Sequence, residues 1–136
     1  MSRKSEIMNE EILFSGKRID NGEWVEGLPY KAKYGGISAI VNENEERFVI
    51  IPETLRRYIG LTDKNGKRIY KADIIRYLDR DKFEWKGVVI YFKENASYLL
   101  KIITCMGSFF VEFIHIDIIK QLEVIGNIHD NPELLE

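Results

Sequence analysis

The stretch from Gly60 to Tyr77 constrains this chain most. Asn65-Gly66 sits between β-prone runs, and Asn and Gly both accept the positive φ that a tight hairpin turn demands. Arg68-Ile69-Tyr70 leaves the turn and Asp73-Ile74-Ile75-Arg76-Tyr77-Leu78 continues as a strand. Alternation falters at Ala72-Asp73, as it does at a bend or bulge. A chain built around such a hairpin must satisfy its backbone through sheet.

The flanking sequence agrees. Asp20-Asn21-Gly22-Glu23 predicts another tight hairpin, with Lys17-Arg18-Ile19 paired against Trp24-Val25-Glu26. Ile12-Leu13-Phe14 opens a strand before it. Gly27, Pro29 and Gly35-Gly36 are expected to break the following chain into short pieces. Ile37–Val41 and Phe48–Ile51 read as strands, joined by the charged connection Asn42–Glu46 and ended by Pro52. Leu55, Tyr58 and Ile59 have i, i+3, i+4 spacing, so Thr54–Ile59 admits one helical turn. Beyond the polar loop Asp79–Lys82, strands are expected at Gly87–Phe92, Tyr98–Ile103, Phe109–Ile116 and Leu122–Ile128, with a turn at Gly107-Ser108. Asp117 caps a helical turn over 117–121, and Asn131-Pro132 opens a short terminal helix.

Length and composition set the bounds. A chain of 136 residues can bury a core without metal or disulfide staples. Seven tyrosines, seven phenylalanines and two tryptophans against three prolines favour sheet. The fold class expected is all-β: a flexible tail over 1–10, an N-terminal β hairpin region over 11–58, and an SH3-like barrel over 59–136, with one or two short helical turns. No apolar run reaches the length that crosses a bilayer as a helix, and residues 1–11 lack the apolar core of a secretory signal. A single cysteine, Cys105, suits a reducing compartment. A cytoplasmic protein without membrane contact is expected.

Three blocks carry a family likeness. They are Phe14-Ser15-Gly16-Lys17 with Asp20–Gly27; Ile51-Pro52-Glu53-Thr54 leading through Gly60–Tyr70 to Asp73-Ile74-Ile75; and Glu123–Ile128 with Asn131-Pro132-Glu133-Leu134-Leu135. On these the chain resembles the YopX family of bacteriophage and prophage proteins. The resemblance implies an all-β fold with a C-terminal SH3-like barrel, and carries no enzymatic activity or functional residue with it. This chain departs from the family pattern at Lys71-Ala72, where Glu-Gly is usual, and is more basic there.

Candidate chemistry is sparse. The only histidines are His115 and His129, and no CxxC, HExxH or acidic calcium loop occurs, so neither metal nor cofactor is expected. His115 reads as a core or edge residue and His129 as an exposed tail residue. Cys105 could meet His115 across a hairpin; the simpler reading is a buried small hydrophobe. Asp63 is expected to accept backbone N–H bonds within its turn, and Asp73 to do the same locally. Trp24 and Trp85 are expected to be partly buried. No catalytic set emerges, and a non-enzyme is expected.

Charge is uneven. Residues 56–86 hold a net +5, flanked by −3 over 1–55 and −4 over 87–136. Arg56, Arg57, Lys64, Lys67, Arg68, Lys71 and Arg76 are interleaved with Tyr58, Tyr70 and Tyr77. Such a segment can neutralise phosphates while its rings stack on bases. Alternatively the rings pack inward and the charges meet the acidic flanks, in the same chain or in a second copy. The leading expectation is a protein-interaction module that forms a homo-oligomer, with a host or phage protein as a further partner. Nucleic acid is the alternative ligand for the 56–86 segment.

Overall fold

The β-prone runs do become strands. The computed structural model describes residues 11–31, 37–113 and 121–136, and within them the chain is all-β, with only short 3₁₀ turns at Pro52–Thr54, Lys93–Asn95 and Pro132–Leu135. Its strands are β1 (Phe14–Lys17), β2 (Trp24–Lys31), β3 (Ile37–Val41), β4 (Arg47–Val49), β5 (Arg56–Thr62), β6 (Arg68–Tyr70), β7 (Asp73–Leu78), β8 (Glu84–Phe92), β9 (Ser97–Thr104), β10 (Gly107–Glu112) and β11 (Glu123–Asn127). The chain divides into two compact units, Met1–Gly60 and Leu61–Glu136.

The first unit is an antiparallel sheet in the order β4-β3-β2-β1-β5. Ala39, Ile40 and Ile50 fill its core at 2% exposure or less. Thr54 is buried and satisfied, accepting from the Lys17 N–H (2.9 Å) and donating to the Ile51 carbonyl (2.6 Å). β2 runs unbroken through Gly27 and Pro29, contrary to expectation. A Cβ on Gly27 would fall 2.1 Å from the Val41 carbonyl oxygen, so glycine there permits close strand approach. β2 pairs with β1 over Trp24–Gly27 and with β3 over Leu28–Lys31. Pro29 therefore sits where β2 has a partner on one side only, and its missing N–H costs no ladder bond. The expected helical turn over Thr54–Ile59 is mostly strand. Ser15 pairs with Arg56 and Phe14 with Arg57, and this ladder overrides the helical spacing.

The second unit holds an antiparallel sheet in the order β10-β9-β8-β7-β11. Ile69, Ile74, Ile75 and Ile102 are fully buried, with Val89, Leu100 and Leu122 at 1% or less. The last strand returns beside β7 rather than β10, with a bulge between Val124 and Gly126. A Cβ on Gly126 would fall 2.5 Å from Asn131 Oδ1. That oxygen accepts from the Asn127 N–H (3.3 Å) rather than capping the Pro132–Leu135 turn.

Three loops share one plan. Asn42–Glu46, Asp63–Lys67 and Asp79–Phe83 each close with the first N–H donating to the fifth carbonyl, at 3.0, 2.7 and 3.0 Å. In each, the first residue's Oδ1 accepts from the N–H groups of the third and fifth residues, at 2.9–3.0 Å. The fourth residue is left-handed: Glu45 (φ 63°), Gly66 (φ 79°) and Lys82 (φ 64°). Asn65-Gly66 is thus part of a three-residue loop, and Asn65 keeps negative φ. The Asp20-Asn21-Gly22 hairpin is also looser than expected. Arg18 N–H donates to the Glu23 carbonyl (2.8 Å), enclosing four residues, of which only Gly22 is left-handed. Ala72 adopts a left-handed turn (φ 75°).

Asp63 adds a long-range contact to the shared plan. Its Oδ2 accepts from the Val124 N–H (3.0 Å), and the Lys64 N–H donates to the Leu122 carbonyl (2.9 Å). The hairpin loop is thereby tied to the entry of β11. Asp63 is 6% exposed, so Asp63→Ala strands three N–H groups and is expected to cost about 3 kcal/mol. Asp63→Asn keeps an acceptor within the loop and is expected to cost roughly half as much. Urea denaturation midpoints of the two variants check the order.

Candidate functional site

The charged surface of the second unit is organised by one carboxylate. β7 and β11 place Arg76 opposite Glu123 in their ladder. Glu123 Oε2 accepts from Arg76 Nε (3.0 Å) and pairs with the Arg76 guanidinium (3.0 Å) and with Lys64 Nζ (3.3 Å). Hydrogen bonding from Arg76, then from Lys64, holds the Glu123 carboxyl below the usual carboxylate range. The three side chains line an open groove of ≈ 360 Å³ with Tyr77, Leu78, Glu84 and Gln121. Two cations and two carboxylates make its lining neutral.

The remaining residues of the basic segment have other settings. Lys67, Arg68 and Lys71 are exposed around the Asp63 hairpin. Arg56 and Arg57 lie in the first unit, where Arg56 stacks over Trp24 (4.0 Å) and Arg57 over Phe14 (5.9 Å). Arg47 over Tyr30 (4.0 Å) and Arg18 over Phe48 (4.7 Å) repeat the arrangement there. Tyr70 and Tyr77 are buried at 4% and 9% exposure and Tyr58 is half-buried, so the first two hold their rings in the core. Burial, then the Asp79 charge, raises the Tyr77 hydroxyl pKa. The structure therefore gathers Lys64 and Arg76 around Glu123 and distributes the other basic residues differently. The sequence contained no signal for the arginine–ring stacks, since each arginine and its ring come from separate segments of the chain.

The catalytic candidates take structural positions. Asp63 serves its loop, and buried Asp73 accepts from the Tyr70 N–H (2.8 Å). Cys105 is exposed, because Cys105-Met106 forms the turn between β9 and β10 while Gly107 already belongs to β10. That corrects both the buried-cysteine reading and the turn expected at Gly107-Ser108. His115, the end of the strand expected over Phe109–Ile116 and residues 117–120 of the expected turn lie outside the described residues. His129 is half-buried, its N–H donating to Asn127 Oδ1 (3.0 Å). Among the described residues no three His, Cys, Asp or Glu side chains converge as a metal site, and no helix is long and apolar enough to cross a membrane.

A second surface lies on the β9–β10 hairpin. Met106 at its tip is 94% exposed, with Phe109 at 43% and Phe110 at 51%. Phe109 meets Trp85 edge-on (5.7 Å) and Phe110 lies against Phe92 (5.7 Å), so consecutive rings occupy opposite faces of the sheet. Trp85 is itself fixed by its Nε1–H donating to Asp79 Oδ2 (2.9 Å), which holds the Asp79 carboxyl below the usual range.

The Glu123 cluster has a pH signature. Its folded pKa is depressed, so its contribution is complete above the ordinary carboxylate range and fades as pH falls through the folded value. Glu123→Gln is expected to flatten the acid-side loss of stability between about pH 5 and pH 3, with the difference shrinking in high salt. Urea midpoints across that range check it.

Comparison with known proteins bears on the fold and the family. The crystal structure of protein EF1440 from Enterococcus faecalis is similar, with a TM-score of 0.62 and 22% identity over 93% of this chain and 99% of that one. At that identity the likeness establishes the fold alone. No curated protein matches the chain. The family model described as YopX protein matches residues 3–136. The chain belongs to the YopX protein family.

Proposed function

We propose that the chain is a phage-associated accessory protein of the host cytoplasm that acts by binding rather than by catalysis, and that it assembles with copies of itself. A host or phage protein is its further partner. The second unit is read as the SH3-like barrel, a meander whose closing strand β11 returns beside β7. The observation that supports self-assembly is the apolar β9–β10 hairpin, where Met106 at the tip and Phe109 and Phe110 on opposite faces are all exposed. Asp63, Asp73 and Asp79 are all engaged by backbone or indole N–H groups, which suits a scaffold more than a reaction site.

Sedimentation equilibrium at low and high salt tests this. Concentration-dependent association is expected, and it should persist near 1 M salt, where charges are screened within about 3 Å. A monomer under every condition overturns the reading. Dissociation at high salt alone moves the interface from the apolar hairpin to the charge blocks.

Nucleic-acid binding is the second reading, favoured by exposed Lys67, Arg68 and Lys71 beside the Asp63 hairpin. Filter binding with single- and double-stranded DNA and RNA checks it. Lys67→Glu with Arg68→Glu is expected to abolish any binding that uses this hairpin, and unchanged binding excludes it as the site.

A further inference from the structure

Among the described residues, β10 is the one long strand edge of the second unit that carries no protection. Natural sheets blunt their edges with short strands, bulges, charge or covering chain. The opposite edge, β11, has a bulge at Val124–Gly126 and the charged Glu123, and its Val124 and Asn127 N–H groups are taken by Asp63 and Asn131. In the first unit the edge strand β4 is three residues long and begins with Arg47. β10 is six residues, Gly-Ser-Phe-Phe-Val-Glu, paired with β9 in unbroken register and exposed at every residue but Val111.

We infer that β10 pairs antiparallel with β10 of a second copy about a two-fold axis at Phe110, joining two five-stranded sheets into one. This rests on the self-assembly reading above and names its surface. Ladder alternation limits the register. The turn-closing pair is Thr104 with Gly107; counting from it, the backbone groups of Ser108, Phe110 and Glu112 point away from β9. Those are the groups a new strand must use. With Phe110 on the axis, Phe110 meets Phe110 of the second copy, Phe109 meets Val111, and Ser108 meets Glu112. Phe110 meets its copy and Ser108 meets Glu112 on one face, and Phe109 meets Val111 on the other. Glu112 is the only charge on β10 and Lys101 the only charge on β9. Lys101 lies opposite Phe110 in the β9–β10 ladder, so the pairing brings Glu112 of the second copy to the face that carries Lys101. Shifting the axis by one residue keeps the outward backbone groups paired but sets Phe110 against Ser108 or Glu112, so side-chain matching favours the axis at Phe110. The occupant this edge fits is therefore another copy of itself.

The test uses the full chain. Native protein is expected to be dimeric by sedimentation equilibrium, whereas Phe110→Lys, which opposes two ammonium groups on the axis, is expected to be monomeric at the same concentrations with an unchanged circular dichroism spectrum. Crosslinking decides the register even if that variant folds poorly. Paired residues on the axis have Cα atoms about 5.5 Å apart, within disulfide range. In a Cys105→Ser background, Phe110→Cys is expected to form covalent dimers under copper-catalysed oxidation, and Phe109→Cys, which faces Val111 across the axis, is not. If native protein self-associates but Phe110→Lys still does so and Phe110→Cys fails to crosslink, the β10 pairing is overturned and self-assembly stands. A native monomer at all concentrations overturns both.

Discussion

The Asp63 carboxylate is the contact on which the second unit's closure depends. One oxygen holds the N–H groups of Asn65 and Lys67, and the other holds Val124, 61 residues further on. A carboxylate can do this because it offers several acceptor sites at once and donates to none. The result couples a local turn to the placement of the final strand. Lys64 then extends from that same loop toward Glu123, so the loop that fixes the strand also places one of the two cations on its surface.

The two units use positive charge differently. In the first, guanidinium planes lie on aromatic rings, where the arginine stem covers apolar surface and the charge stays near water. In the second, ammonium and guanidinium groups share a carboxylate. A linear count of charge treats these alike. The +5 excess of residues 56–86 is a property of the sequence; much of it is allotted to rings and to Glu123 once the chain is folded.

What the sequence revealed was largely local. Asn65-Gly66 marked its turn because only the φ at Gly66 had to be met, and Asp63 was legible as an acceptor because its nearest donors lie two and four residues away. Its bond to Val124 was not legible, since nothing in a turn specifies which distant strand will arrive. Thr54–Ile59 misled because i, i+3, i+4 spacing describes a helix in isolation, whereas β1 supplied a ladder for Arg56 and Arg57. Pro29 looked like a strand breaker for a related reason: whether a missing N–H matters depends on which side of the strand has a partner. Phe109 and Phe110 were legible as strand residues, but not as edge residues. Their exposure follows from strand order, which puts β10 last in its row.

The repeated loop plan has a consequence for how this family member can change. Two of the three left-handed positions are occupied by Glu45 and Lys82, where a side chain costs roughly 1–2 kcal/mol that glycine avoids. Ala72 adds a third such position. The fold thus tolerates strain at sites where a single change of residue would relieve it. Stability lies in reserve near the loops, available to offset losses incurred when surface residues diverge.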